Sequence, residues 1–454
     1  MSPLRLIQLR LPPFRLLRLR HSALLAAIVV LCQSSAWAQF GAQLSGIGPI
    51  NRSMAGASTA APLDTLGAFQ WNPATITALP SSADMALEIL VPQTRLSSTV
   101  NAGALGGGFP PVTLTGSNTS NSGAFPLPAF GFVYQPEESP FSFGIGAMAT
   151  SGFGVNYPGS TTNPVLTAPP PFGLGVGPLY TLYQVVQIIP TVAYQVTEKL
   201  SIGFSPMIDM ASLSVNPGLV AAPDAAGGSG FATYPPMTNG PYTWGGGFQV
   251  GAYYVTDANW NFGTSFKSPQ WFQSFDYNSH DQTGAPREVK FGVDVPMIVS
   301  IGTAYTGFQR TLIALDARYL DYSNTKPFAQ SGFAPTGAVA GLGWDSIFAL
   351  SLGAQYKVTD ALAVRGGYSY NTNPISNNNT FFNIGSPLTI QHTLYVGASY
   401  NLTACWKVSL AYTHAFENSS TGPIVSPTFG PLAGTSVTSQ TAADAVSVGA
   451  SFAY

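Results

Sequence analysis

Apolar and polar residues alternate one by one along much of this chain. From Phe348 to Lys357, one side of an extended backbone carries Phe348, Leu350, Leu352, Ala354 and Tyr356. The other carries Ala349, Ser351, Gly353, Gln355 and Lys357. Trp406 to Thr413 repeats the pattern, with Trp406, Val408, Leu410 and Tyr412 against Lys407, Ser409, Ala411 and Thr413. A period of two over eight to ten residues marks a β-strand; a helix repeats every 3.6. Fourteen such runs occur, near 83–98, 127–136, 141–151, 185–196, 199–213, 243–256, 259–274, 293–306, 310–321, 345–357, 361–371, 388–401, 404–416 and 441–454. Short turns near 136–140, 196–199, 256–258, 307–309, 358–360 and 402–403 alternate with long loops near 100–126, 152–184, 214–242, 275–292, 322–344, 372–387 and 417–440. An even strand number with tight turns on one side and long loops on the other predicts an all-β, 14-stranded antiparallel transmembrane barrel over residues 83–454, both ends on the short-turn side.

Charge content narrows the class. Only 8 % of residues are charged, against roughly 25 % in soluble domains. Past the first 38 residues no apolar run reaches the roughly 18 residues of a membrane helix. Residues 1–38 read as a cleaved export signal: five arginines, the apolar run Ala23–Leu31, and Ala36-Trp37-Ala38 as cleavage site. Nine apolar residues are too few to span a bilayer, which takes roughly 20. Cleavage removes five of the 17 basic residues and leaves 12 against 19 acidic, which speaks against a nucleic-acid partner. Cys405 is then the sole cysteine, so neither a disulfide nor a cysteine metal cluster is expected.

Residues 39–82 break the strand pattern. This stretch is rich in Gly, Ala and Ser, carries the single base Arg52 and the single acid Asp64, and ends on Trp71-Asn72-Pro73-Ala74. A small-residue segment ahead of a closed array predicts a plug enclosed by it.

Several stretches carry a resemblance. MAGASTAAPLDTLGAFQWNPATIT (Met54–Thr77), SGFGVNYP (Ser151–Pro158), IIPTVAYQVTEKLSIGFSPMIDMASL (Ile188–Leu213), VDVPMIVSIGTAY (Val293–Tyr305) and LGAQYKVTDALAVRGGYSYNTNPI (Leu352–Ile375) resemble, in order and spacing, the FadL/TodX family of outer-membrane transporters for long-chain fatty acids and other hydrophobic compounds. The resemblance covers the whole chain after the signal. It implies a barrel plugged by an N-terminal hatch, passive capture at an apolar extracellular groove, transfer to an inner pocket, and lateral release through an opening at a kinked third strand. Outer-membrane lipid and lipopolysaccharide are the implied surroundings. The terminal aromatic strand Val446–Tyr454 is similar to the signal read by the barrel-assembly machinery, and a monomer is expected.

The residues themselves bear on that mechanism. The long loops are apolar, as in Val165–Leu182, which holds Phe172, Leu174 and Leu179; exposed apolar loops mark binding surfaces. Gly152-Phe153-Gly154 closes the third strand, where glycine fits either an ordinary strand end or a kink; the resemblance favours the kink. Asn72, Pro73 and Ala74 are expected to meet the wall there, the Asn72 amide bonding unpaired backbone. Parity turns Glu88, Asp209, Lys267, Asp316, Arg318, Lys357, Arg365 and Lys407 into the lumen. Lys267 and Arg318 are the best candidate partners for an anionic headgroup, although buried charges are normally paired within the protein, which favours a structural pair for each, for instance Arg318 with Asp316. Leu200–Leu213 of the fifth strand carries no base; if the family's members place a carboxylate-binding arginine there, its absence argues for a neutral or aromatic substrate. No cofactor, metal or catalytic site is expected: His280, His392 and His414 are isolated, no G-x-S-x-G occurs, and Gly173-x-Gly175-x-Gly177 lies in a proline-rich loop. An aqueous porin and an outer-membrane lipid hydrolase using His392 or His414 are the rival readings.

Overall fold

The computed structural model describes residues 39–454 except Ser229, Gly240 and Pro241; the export-signal reading lies outside the described residues. The chain opens with two short paired strands, β1 (Gln39–Phe40) and β2 (Gln43–Leu44). Helices α1 (Gly48–Ser53) and α2 (Thr65–Trp71) and a 3₁₀ turn over Pro73–Ala78 follow. The wall then runs through β3 (Ser82–Val100), β4 (Leu114–Thr119), β5 (Phe125–Tyr134), β6 (Phe141–Tyr157), β7 (Leu179–Gln195), β8 (Leu200–Asn216), β9 (Thr243–Val255) and β10 (Trp260–Lys267), with a short β11 (Trp271–Phe272). A loop hairpin, β12 (Phe275–His280) and β13 (Pro286–Phe291), interrupts it. It continues with β14 (Ile298–Tyr305), β15 (Thr311–Leu320), β16 (Ile347–Lys357), β17 (Leu362–Asn371), β18 (His392–Asn401) and β19 (Trp406–Gly422). After the loop pair β20 (Val425–Ser426) and β21 (Gly430–Pro431), β22 (Thr435–Ala453) pairs with β3 along its whole length and closes the cylinder. With β4 and β5 forming one interrupted staircase on β3, fourteen strands make the barrel, as the alternation implied. No helix among the described residues is long and apolar enough to cross a membrane.

Parity holds in space. In β16, Phe348, Leu350, Leu352 and Tyr356 are exposed on the outer face while Ala349, Ser351, Gly353 and Gln355 are buried. Of the eight charges assigned to the lumen, Glu88, Asp209, Lys267, Asp316, Arg318 and Arg365 are buried and Lys407 is half-buried. Lys357 is exposed, because its position falls at the short turn where β16 ends.

Apart from a bulge between Ala415 and Asn418 of β19 against β22, two places depart from a perfect ladder. Pro190 of β7 and Pro206 of β8 face one another and neither has an N–H to donate, so pairing skips 189–191 against 205–207 without changing register. There a 2.7 Å bond between the Thr191 and Ser205 hydroxyls closes the seam from inside. The other departure lies between β5 and β6, where pairing stops at Ala129 and Met148.

Candidate functional site

Residues 39–76 are almost wholly buried inside the cylinder. They are held by carboxylates that the wall points inward. Arg52 makes a forked ion pair with Glu88 of β3, one arm at 2.7 Å, and donates to the Ser45 hydroxyl at 2.9 Å. Asp316 of β15 accepts from the Ser58 and Thr59 N–H groups at 3.0 and 2.9 Å and from the Thr59 hydroxyl at 2.7 Å. Asp84 of β3 accepts the Thr65 N–H at 2.7 Å, supplying the free first turn of α2 with an acceptor. The Arg318 guanidinium lies 3.8 Å from the Trp71 ring centroid and bonds Asp316 at 2.6 Å. Stacking of a desolvated cation on Trp adds about 2 kcal/mol. Burial, reinforced by nearby Asp84, pushes the Asp64 carboxyl up to about 7.

Close approach needs bare backbone opposite. A methyl group at Gly263 or Gly251 would overlap the Thr59 carbonyl or the Asn72 amide, and one at Gly353 or Gly367 would crowd Met54 or Ala55. These glycines stand mid-strand on different sides of the barrel, so the wall is shaped to the N-terminal segment. Sequence reasoning placed Gly353 on the inward face but gave none of these glycines a role; glycine at inward parity in the middle of a strand was the available signal.

The open seam lies in the wall. Pairing of β5 with β6 stops at Ala129 and Met148, and a bulge at Thr150 shifts β6 against β7 between Ala149 and Ser151. Beyond it Phe125–Pro128 stay on β3 while β6 follows β7 up to Tyr157. Pro126 and Pro128 cannot donate to a ladder. Bare backbone inside a bilayer costs several kcal/mol per group, and the chain's own start meets that need. Gly152 donates its N–H to the Ala42 carbonyl at 3.0 Å, the Ser151 hydroxyl donates to the same oxygen at 2.8 Å, and Gln39 Nε2 donates to the Gly152 carbonyl at 3.1 Å. Tyr322 fixes this hairpin by donating to the Phe40 carbonyl at 3.0 Å and accepting the Ala42 N–H at 2.9 Å.

Two expectations change here. Gly152-Phe153-Gly154 does not end the strand, which stays paired with β7 as far as Tyr157; the irregularity sits at Thr150, just before it. Asn72-Pro73-Ala74 does not reach the seam. The Asn72 amide donates to the Thr59 carbonyl at 2.7 Å and the Ala252 carbonyl of β9 at 2.9 Å, while Ala74 packs on Gly203 of β8. The Asn-Pro turn faces the fifth and sixth strands, and Gln39–Gln43 occupies the kink.

Three cavities meet along this side. An outer groove of about 440 Å³ lies among the long loops, lined by Leu105, Val165, Leu174, Tyr234 and Phe381 among others. Leu219 and Val339 also line a smaller inner pocket of about 80 Å³, with Leu179, Leu213, Val293 and Phe328. Phe153 lines this pocket and also a third cavity of about 260 Å³ at the seam, with Gln39, Phe125, Leu127, Ala149, Gly152 and Val185. Phe153 stacks on Tyr183 with ring centroids 5.2 Å apart. Leu174 and Leu179 thus line cavities. Phe172 points outward at 89 % exposure, and Lys267 and Arg318 line none of the three.

The sequence matches the family model described as "Outer membrane protein transport protein (OMPP1/FadL/TodX)" over residues 27–454. A comparison with curated proteins finds no match. Among solved structures, the fold is similar to the Pseudomonas putida toluene transporter TodX (TM-score 0.66, 18% identity, 90% of this chain and 99% of that one). It is also similar to the Ralstonia pickettii toluene transporter TbuX (0.63, 18%, 90% and 99%) and to a Pseudomonas aeruginosa FadL homologue (0.66, 15%, 91% and 99%). The chain therefore belongs to the FadL/TodX family of outer-membrane transport proteins, and is a transporter rather than an enzyme.

Proposed function

We propose that the chain carries hydrophobic compounds from the outer groove through the inner pocket to the seam between β5 and β6, and releases them sideways into the membrane. The observation that carries this reading is the succession of apolar cavities, each sharing a wall residue with the next and the last lying where the ladder is broken. Burying a methylene contributes about 0.8 kcal/mol, so a hydrocarbon needs no polar partner to be drawn in. The N-terminal segment acts as a hatch: anchored by Glu88, Asp84 and Asp316, it blocks the axial way down. Nothing in this scheme consumes energy, so transport runs down a gradient. The toluene transporters of the same fold are compatible with such cargo.

A covalent strap over the seam tests the route. In a Cys405→Ser background, which removes the exposed thiol, Leu127→Cys and Ala149→Cys place one thiol on each lip. Bridging them with a short bis-maleimide should abolish uptake of labelled toluene, and cleaving a reducible version of the bridge should restore it. Unchanged uptake through the strapped barrel would show that cargo does not leave by the wall.

A further inference from the structure

The three cavities share a second property: not one Asp, Glu, Lys, Arg or His lines any of them. This is not for want of buried charge, since among the described residues four bases are buried inside the barrel, three on the wall and one, Arg52, on the N-terminal segment. Each has its place elsewhere. Arg52 is forked on Glu88 and Arg318 is bonded to Asp316. Arg365 donates to the Gln355 amide oxygen and the Ser399 hydroxyl at 2.7 Å each. Lys267 lies in the field of Asp209 and 5.9 Å from the Trp71 ring centroid. The polar groups along the conduit are neutral hydroxyls and amides such as Thr181, Ser386, Gln184 and Ser212.

Resting on the transport reading above, we propose that this conduit selects by charge, admitting uncharged hydrophobic compounds and excluding their carboxylates. A carboxylate in the inner pocket would leave water for a chamber whose walls offer no cation, and an unpaired buried charge is strongly disfavoured. A neutral compound of the same shape loses only weak hydration and gains apolar contact with Leu213, Val293 and Phe328. Arg318, which the sequence offered as a headgroup partner, bonds Asp316 and the Gly56 carbonyl and lies over Trp71, and Lys267, the other candidate, lines none of the three cavities.

The test compares matched compounds in cells with and without the gene, at pH 8 so that the acids are ionised. Gene-dependent uptake of labelled ethylbenzene and dodecanol should exceed that of phenylpropionate and laurate by at least about tenfold. Equal uptake of the acids overturns charge selection while leaving the transport reading intact. No gene-dependent uptake of any compound overturns the transport reading itself. Thr181→Lys, which brings an ammonium to the inner pocket, should raise the rate for the acids several-fold. A folded Thr181→Lys barrel that still passes ethylbenzene and still excludes laurate would show that something other than charge keeps the acids out.

Discussion

Deleting Gln39–Leu79 should turn a nearly silent barrel into an ohmic pore. The segment fills the lumen, and its removal would uncover Glu88, Asp316, Arg318 and Lys267, a polar lining that water and small ions can wet. Closure of the cylinder between β22 and β3 does not depend on it, because these strands pair over nineteen residue pairs. The variant should therefore still migrate as a folded, heat-modifiable barrel, and in planar bilayers it should show stable conductance steps absent from the full chain. A folded but silent deletion variant would mean that the segment does not act as the plug.

The second large effect is expected at a single ion pair. Arg52→Ala leaves Glu88 inside the lumen without its forked partner. Breaking a buried pair from one side costs about 3–5 kcal/mol, whereas replacing both members with apolar residues of similar size is often neutral. Arg52→Ala should accordingly loosen the hatch, seen as faster protease cleavage within 45–60 and as noisy conductance. Arg52→Met combined with Glu88→Leu should return both readouts most of the way to those of the unmodified chain. A tight, silent Arg52→Ala barrel would place the anchoring on Asp316 and Asp84 instead.

The barrel was legible because two-residue alternation is a local property: each of the fourteen runs shows its lipid-facing residues without reference to any other strand. Orientation of the charges followed from the same parity, and only Lys357, at a strand end, escaped it. The seam was legible only in part. Gly152 and Gly154 drew the eye, yet the break depends on Thr150, an unremarkable residue, on two prolines in the preceding strand, and on a hairpin a hundred residues away. A β-bulge is a relation between strands, and no single stretch displays it. Asn72 illustrates the same limit. Its chemistry was anticipated, an amide bonding spare carbonyls, but the carbonyls it finds belong to Thr59 and Ala252. The fate of Arg318 was open between cargo and Asp316 for the same reason; in the fold it bonds Asp316 and lies over the Trp71 ring, brought there by a segment distant in sequence.

On the proposed route, cargo leaves through the wall above a hatch that remains seated. A photoreactive hydrocarbon, a diazirine-bearing alkylbenzene, tests it most directly: irradiate loaded protein in outer-membrane vesicles and map the adducts by mass spectrometry. Labelling should fall on Leu174, Phe328, Phe153 and Leu127, residues of the three successive cavities. Labelling instead at Leu63, Leu79 and Trp406, around the cavity on the short-turn side, with the seam clean, would place the exit along the barrel axis and contradict the account.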